Sequence, residues 1–467
     1  MATVIKNGTI LTSADEFKGD ILIEGEKIIA IGSGLEERAK VIIDAEGKYI
    51  FPGGIDGHTH YALPFMGTST AGFETTPGAI VGGTTTVVDF APQPKGMSLL
   101  DGIAKHREEN AEGKAAADFC FHAMVMDVQE SIFQEPPALI KAGIPTIKLF
   151  MAYKGTPFYS DDATIFKMLQ TTKEAGMLTM LHAENGDIIG VLQKQLVAAN
   201  KTDPKYHPVS RPTIAEVEAT IRATRLAQAA DAPVFIVHIS CAEAMVAVRD
   251  ARQQGISAFG ETCPHYLTLD VKNYDKPNFE GAKYVCSPPL REAREQDYLW
   301  QAIQQGWLQV VGSDHCGFNL KGQKEMGRGD FTKIPNGSPG VENRLAILYT
   351  YGVLRGKLSL QRMVDVFSTA PAKFYGLYPR KGNLMTGADA DIVIFDPNYT
   401  GKISVKTSLQ GLDFNSYEGF EQKGRPEKVF LRGTLSVDGG KFVGKLGQGK
   451  FVKREPYGLA YFGRARK

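Results

Sequence analysis

The chain has 467 residues, of which 43% are hydrophobic and 22% charged, a balance that suits a packed globular protein and excludes wholesale disorder. Lys and Arg number 53 against 52 Asp and Glu, a formal net charge of +1, so no global basic surface is predicted for nucleic acid or anionic lipid. No apolar run reaches the roughly 18 to 20 residues of a membrane helix, residues 1–8 carry no secretory pattern, and the five cysteines (Cys120, Cys241, Cys263, Cys286, Cys316) are scattered without a CxxC pair; the expectation is a cytoplasmic protein with reduced, buried thiols and no membrane or nucleic-acid partner.

The first fifty residues predict short strands: 3–11 around an Asn7-Gly8 turn, 20–31, and 41–44. A helical period occurs there only near 34–40. From about Lys48 the rhythm changes. Apolar runs at 49–51, 84–90, 119–125, 146–150, 178–182, 234–238, 256–261 and 308–314 alternate with amphipathic stretches such as 163–175 and 214–230, the latter apolar at 214, 217, 221 and 226. Near-continuous apolar runs are what strands buried on both faces require. Eight of them alternating with helices predict an α/β protein built on a (β/α)8 TIM-like barrel rather than a doubly wound sheet. The tail returns to strands at 390–396, 427–433 and 441–444. The predicted organisation is therefore a small β-sandwich domain built from both chain ends, with the barrel inserted: 1–50, then 51–380 as the catalytic barrel, then 381–467 as the second part of the sandwich and the tail.

Polar residues gather at the ends of the predicted barrel strands. His58-Thr59-His60 follows the first. On an extended backbone residues i and i+2 face the same way, so both imidazoles can reach one metal ion; alone, a hydrogen-bonding histidine pair would read the same. His182, His238 and Asp314 end the fifth, sixth and eighth strands. In a barrel those ends converge on the face where active sites lie. Lys148 stands inside the fourth strand between Ile147 and Leu149, where a lone ammonium is costly to bury. Either it pairs with a carboxylate, or its amine has reacted with carbon dioxide to give an anionic carbamate able to bridge two metal ions.

Several stretches resemble the cyclic amidohydrolases of the dihydropyrimidinase and D-hydantoinase family. They are Pro52-Gly53-Gly54-Ile55-Asp56-Gly57-His58-Thr59-His60, Lys148-Leu149-Phe150-Met151-Ala152-Tyr153, His182-Ala183-Glu184-Asn185, Glu261-Thr262-Cys263-Pro264-His265-Tyr266-Leu267, Gly312-Ser313-Asp314-His315-Cys316, and Asp330-Phe331-Thr332-Lys333-Ile334-Pro335-Asn336-Gly337. The first and fifth are shared across much of the amidohydrolase superfamily; Ile334-Pro335-Asn336-Gly337 narrows the likeness. The resemblance implies two Zn2+ ions bridged by N6-carboxylated Lys148 and a hydroxide, the more buried ion on His58, His60 and Asp314 and the other on His182 and His238. It implies that Asp314 shuttles the proton from water to the leaving ring nitrogen and that Tyr153 donates to the developing oxyanion. Backbone groups at Ser287 and Asn336 would hold the ureido edge, and Leu63, Phe65 and Phe158 would gate the exocyclic substituent. The implied reaction opens 5,6-dihydropyrimidines or 5-substituted hydantoins to N-carbamoyl amino acids.

The chain departs from the family at Tyr61-Ala62-Leu63, where Leu-Asp-Met is common in D-hydantoinases, and at Lys154-Gly155-Thr156-Pro157-Phe158. The family also implies a homotetramer, for which 451–457 is either an assembly segment or a frayed end. Three rivals are weaker. A dihydroorotase would carry an arginine two residues after the HxH, where this chain has Ala62. An allantoinase-like ureide hydrolase shares the metal set but not the 334–337 stretch. A non-catalytic scaffold of the collapsin-response kind lacks the ligand set, which is complete here.

Overall fold

The apolar runs of the middle of the chain line up as one parallel sheet in a computed structural model that describes residues 2–456. Its strands are β1 (Gly54–Thr59), β2 (Thr84–Pro92), β3 (Asp118–Met124), β4 (Thr146–Phe150), β5 (Leu178–His182), β6 (Val234–Ile236), β7 (Ala258–Thr262) and β8 (Val310–Val311), each paired with its neighbour in sequence. Every residue in them except Pro92 is buried, as expected where helices cover the outside and side chains fill the inside. An isolated bridge between Thr59 and His315 joins the segment after β8 back to β1. The His60 amide donates to the His315 carbonyl at 2.8 Å and the His315 amide to the His58 carbonyl at 3.2 Å. The nearly closed barrel is thus sealed at its C-terminal rim, beside the HxH.

The first predicted barrel run, 49–51, belongs elsewhere. Tyr49–Pro52 is a strand of a seven-stranded end sheet, where it runs between Thr9–Leu11 and the long strand Ile392–Lys402. The true first barrel strand is the glycine-rich Gly54–Thr59, too poor in apolar residues to announce itself. A Cβ on Gly57 would sit 1.9 Å from the Tyr375 ring, so barrel filling, not turn formation, demands that glycine.

The chain ends build two sheets. One is four-stranded: Lys27–Gly32, Asp20–Glu24, Ala2–Lys6 and Val41–Asp44. The other contains strands from both ends of the chain. Asn7-Gly8 does not close a hairpin; it carries the chain from the first sheet to the second, Asn7 taking a left-handed φ of 64°. Ile5, Ile21, Ile28 and Ile50 from the start share a core with Ile392, Ile394 and Phe430 from the end, so the two chain ends pack around one apolar interior. The buried Lys381 ammonium fastens this part to the barrel, pairing with Asp391 at 2.5 Å and with Asp118, at the start of β3, at 2.8 Å.

The helix Asp162–Ala175 begins at an Asp161 side-chain cap and ends at left-handed Gly176. Helix Thr213–Ala230 corrects one expectation: Ile214 and Ile221 are 57% and 46% exposed. Its buried line is Ala215, Ala219, Ala223 and Ala227 with Val217, small residues at a four-residue spacing that admit a close approach. Residues 451–456 pack on this chain's own barrel: Phe451 stacks on Phe121, and Arg454 donates to Thr146 Oγ1 at 2.8 Å. Tyr457 lies outside the described residues. All five cysteines are free and buried.

Candidate active site

The HxH is held by two carboxylates from neighbouring strands. Asp56 Oδ1 accepts from the His58 amide at 3.2 Å and from the Ser313 amide at 3.0 Å, stitching β1 to the loop after β8. Asp89, on β2, accepts from Thr59 Oγ1 at 2.9 Å and the Tyr61 amide at 2.8 Å. Both bonds flank His60 and fix the direction in which it leaves the strand.

The ligating atoms of His58, His60 and Asp314 fall within 4.8 Å of one another, all buried. Asp314 Oδ1 lies 3.1 Å from His58 Nε2 and 3.5 Å from His60 Nε2. His182 and His238 form an adjacent pair with ring centroids 4.5 Å apart, and His238 reaches to within 5.3 Å of the His58 ring. Lys148, fully buried on β4, holds its Nζ 4.7 Å from the Phe90 ring centre and 5.0 Å from that of Phe150. No carboxylate pairs with it among the described residues.

Burial sets the protonation of the cluster. It lowers His60, His182 and His238 below the ordinary histidine value, which keeps the imidazoles neutral, the form that binds metal. Burial also pulls the Lys148 ammonium down to about 7, so a neutral amine is accessible near neutral pH. Burial by itself would raise Asp314, but His58, His60 and His265 outweigh it and hold the carboxylate ionised well below its usual range. His238 at φ 40° and Asp314 at 49° stand on left-handed backbone, as does Tyr153 at 61°. For residues with a Cβ that conformation costs roughly 1–2 kcal/mol, and such strain clusters where side chains must be aimed.

Every residue singled out from the sequence lines one cavity: His58, His60, Lys148, His182, His238, Asp314, Tyr153, Ser287, Asn336, Leu63, Phe65 and Phe158, joined by Met124, Phe150, Cys316 and Gly337. Tyr153 is raised by burial, against which Arg211 and the side chains of Ser287 and Asn336 act. Phe65, on the two-residue strand Pro64–Phe65 of a small hairpin, packs edge-on to Tyr153 and Phe158 with centroids 6.2 and 5.6 Å apart.

Two supporting acids, Glu261 and Glu184, stand in stretches that carry the family resemblance but were given no role from the sequence. Glu261, on β7, places Oε1 2.5 Å from His58 Nδ1 and 3.3 Å from the His238 amide. A Cβ on Gly312 would come 2.5 Å from its other oxygen, so the glycine makes room for the acid. Glu184 accepts from Arg211 Nη1 and lies against His182 Nε2, both at 2.7 Å. A charged residue inside an otherwise apolar strand was the available signal for Glu261; Arg211 gave none.

The donor set fits a metal. His58 Nε2, His60 Nδ1 and His238 Nδ1 are buried without a hydrogen-bond partner, and the other ring nitrogens of His58 and His182 face carboxylates that orient them, the arrangement typical of metal-ligating histidines.

The Amidohydrolase family profile matches residues 49–436. A D-hydantoinase from Geobacillus stearothermophilus is 48% identical over 461 residues, covering 98% of each chain. The crystal structure of a dihydropyrimidinase from Brevibacillus agri superposes with a TM-score of 0.96 at 49% identity, over 98% of this chain and 99% of the other. An L-hydantoinase (dihydropyrimidinase) from Arthrobacter aurescens superposes at 0.89 with 30% identity, over 97% and 99%. The chain belongs to the amidohydrolase family, in the branch that holds the D-hydantoinases and dihydropyrimidinases.

Proposed function

We propose that this protein hydrolyses the cyclic amide of 5,6-dihydropyrimidines or 5-substituted hydantoins to N-carbamoyl amino acids, using two zinc ions. The observation that carries the reading is the buried Lys148, without a carboxylate partner among the described residues, lining one cavity with the His58–His60–Asp314 group and the His182–His238 pair. The neutral amine can add to carbon dioxide, an N–C bond forming and one proton leaving to water; the resulting carbamate would hold the zinc ions together with His58, His60, Asp314, His182 and His238. Held there, zinc would supply Lewis-acid chemistry that lowers the pKa of water and polarises the ring carbonyl.

The chain's own residues supply the rest. Asp314, ionised and buried, accepts the proton of the attacking water and returns it to the leaving ring nitrogen. The Tyr153 hydroxyl donates to the oxygen on which negative charge develops. Backbone groups at Ser287 and Asn336 hold the ureido edge, and Leu63, Phe65 and Phe158 pack against the substituent, whose wall is apolar and aromatic. The same reading divides the chain into 1–50, 51–380 and 381–467, and places it in the cytoplasm as a homotetramer without nucleic-acid or membrane partners.

Ring opening of 5,6-dihydrouracil and 5-phenylhydantoin by zinc-loaded protein with bicarbonate present, beside K148A, tests this. Turnover by the wild type and none by K148A supports it, and the ratio of rates separates pyrimidine catabolism from broad hydantoinase activity. Zinc-bound wild type that opens neither ring overturns it.

A further inference from the structure

Behind the cavity lies a buried cation that the reaction does not use. Lys324 opens the short turn Lys324–Gly327 and is fully buried. Its Nζ donates to two carbonyls, Val285 at 3.0 Å and Pro335 at 2.9 Å. No carboxylate pairs with it among the described residues. Those carbonyls stand two residues before Ser287 and one before Asn336, on two separate loops. The Val285 oxygen also accepts from the Gly337 amide at 2.9 Å. One ammonium therefore clamps both loops to each other.

The clamp fixes a direction as well as a distance. In a planar trans peptide the C=O and the following N–H point to opposite edges. With the Pro335 carbonyl held toward Lys324, the Asn336 N–H faces the other way. It has no partner among the described residues, and Asn336 lines the cavity. A methylene chain could fill the Lys324 site without the penalty of burying a charge; charge-assisted bonds to two carbonyls are what the ammonium adds.

The neighbouring side chain works on the opposite side. Gln323 Nε2 donates to Thr68 Oγ1 at 2.6 Å and to the Ser69 carbonyl at 2.7 Å. Thr68–Ser69 is the second strand of the hairpin that carries Phe65. Asp413 steadies the turn by accepting from the amides of Leu320 at 2.7 Å and Lys321 at 2.9 Å.

We infer that Lys324 is a positioning residue for ring recognition, clamping the Ser287 and Asn336 loops, while Gln323 ties the substituent wall to the same turn. The inference rests on the ring-opening reading above and deepens it: binding of the ring edge and fit of the substituent are set by adjacent residues of one segment.

The test is steady-state kinetics of zinc-loaded K324M and Q323A on 5,6-dihydrouracil and 5-phenylhydantoin. K324M is expected to raise KM about tenfold or more on both rings, since the two charge-assisted bonds that hold the loops are lost, with zinc content at the wild-type level. Q323A is expected to leave dihydrouracil kinetics unchanged and to lower kcat/KM on phenylhydantoin. If K324M does not fold, K324Q, shorter and uncharged but still able to donate, carries the test, with the same KM rise in smaller measure. An unchanged KM in the folded Lys324 variant, or a loss confined to kcat, overturns the inference. A wild type that opens neither ring defeats the functional reading instead.

Discussion

Glu261 Oε1 lies 2.5 Å from His58 Nδ1 and 3.3 Å from the His238 amide, so one buried acid orients a ligand from each of the two proposed metal positions. A carboxylate behind a ligating histidine fixes its tautomer and raises its basicity, and removing such a partner typically weakens metal binding about 10–100-fold. E261Q keeps the shape and loses the charge. It is expected to release zinc to a competing chelator at correspondingly lower chelator concentration, which metal analysis after dialysis reads directly. Zinc retention equal to the wild type would show that the contact does not orient the ligands.

Tyr153 is aimed into the cavity by left-handed backbone, and burial raises its phenol above the ordinary value, so it stays protonated and able to donate. Losing one oxyanion donor costs about 10²–10³ in kcat. Y153F should show that loss with zinc content unchanged. A kcat near the wild-type value would remove Tyr153 from the chemistry.

The wall that would receive the substituent rests on Phe65, whose ring meets those of Tyr153, Phe158 and Phe318. Apolar contacts of this kind discriminate by roughly 10–200-fold. F65A is expected to lower kcat/KM on 5-phenylhydantoin within that range and to spare 5,6-dihydrouracil, which has no substituent to lose. Equal losses on both rings would assign Phe65 to general packing.

Away from the cavity, burial pushes the Glu342 carboxyl up to about 7, although Ser408 Oγ at 2.7 Å and the Leu409 amide at 2.8 Å favour its ion. An acid raised on folding contributes stability below its unfolded value, here the ordinary 4.5, and that stability is lost as pH rises through about 7. The difference bounds the effect at roughly 3 kcal/mol. The melting temperature of E342Q relative to the wild type should therefore rise between about pH 5 and pH 8. A difference constant with pH would contradict this.

The barrel was legible because strands buried on both faces must be apolar throughout, and runs such as 146–150 and 178–182 have no other simple reading. That His58, His60, His182, His238 and Asp314 would converge was legible for a related reason: side chains at the C-terminal ends of barrel strands share one face, and they line one cavity. What failed were assignments that depend on the partner rather than the segment. Residues 49–51 look like any barrel strand, and only pairing with Ile392–Lys402 places them in the end sheet. Ile214 and Ile221 fit a helical period, but the alanines at 215, 219, 223 and 227 win the buried face, because they let the helix approach closely. Asn7-Gly8 has hairpin chemistry, yet its flanking strands serve different sheets. Lys324 and Arg211 were invisible for the same reason: a lone cation in a loop declares nothing until the carbonyls or carboxylates around it are known.

The most direct measurement is ring opening of 5-phenylhydantoin by protein stripped of metal with a chelator and then titrated with zinc in the presence of bicarbonate, with product mass and bound zinc followed together. Activity that vanishes on stripping and returns in proportion as two zinc ions bind per chain, yielding the N-carbamoyl amino acid one water heavier than the ring, is the predicted result. Turnover indifferent to stripping, or no turnover with two zinc ions bound, would contradict the account.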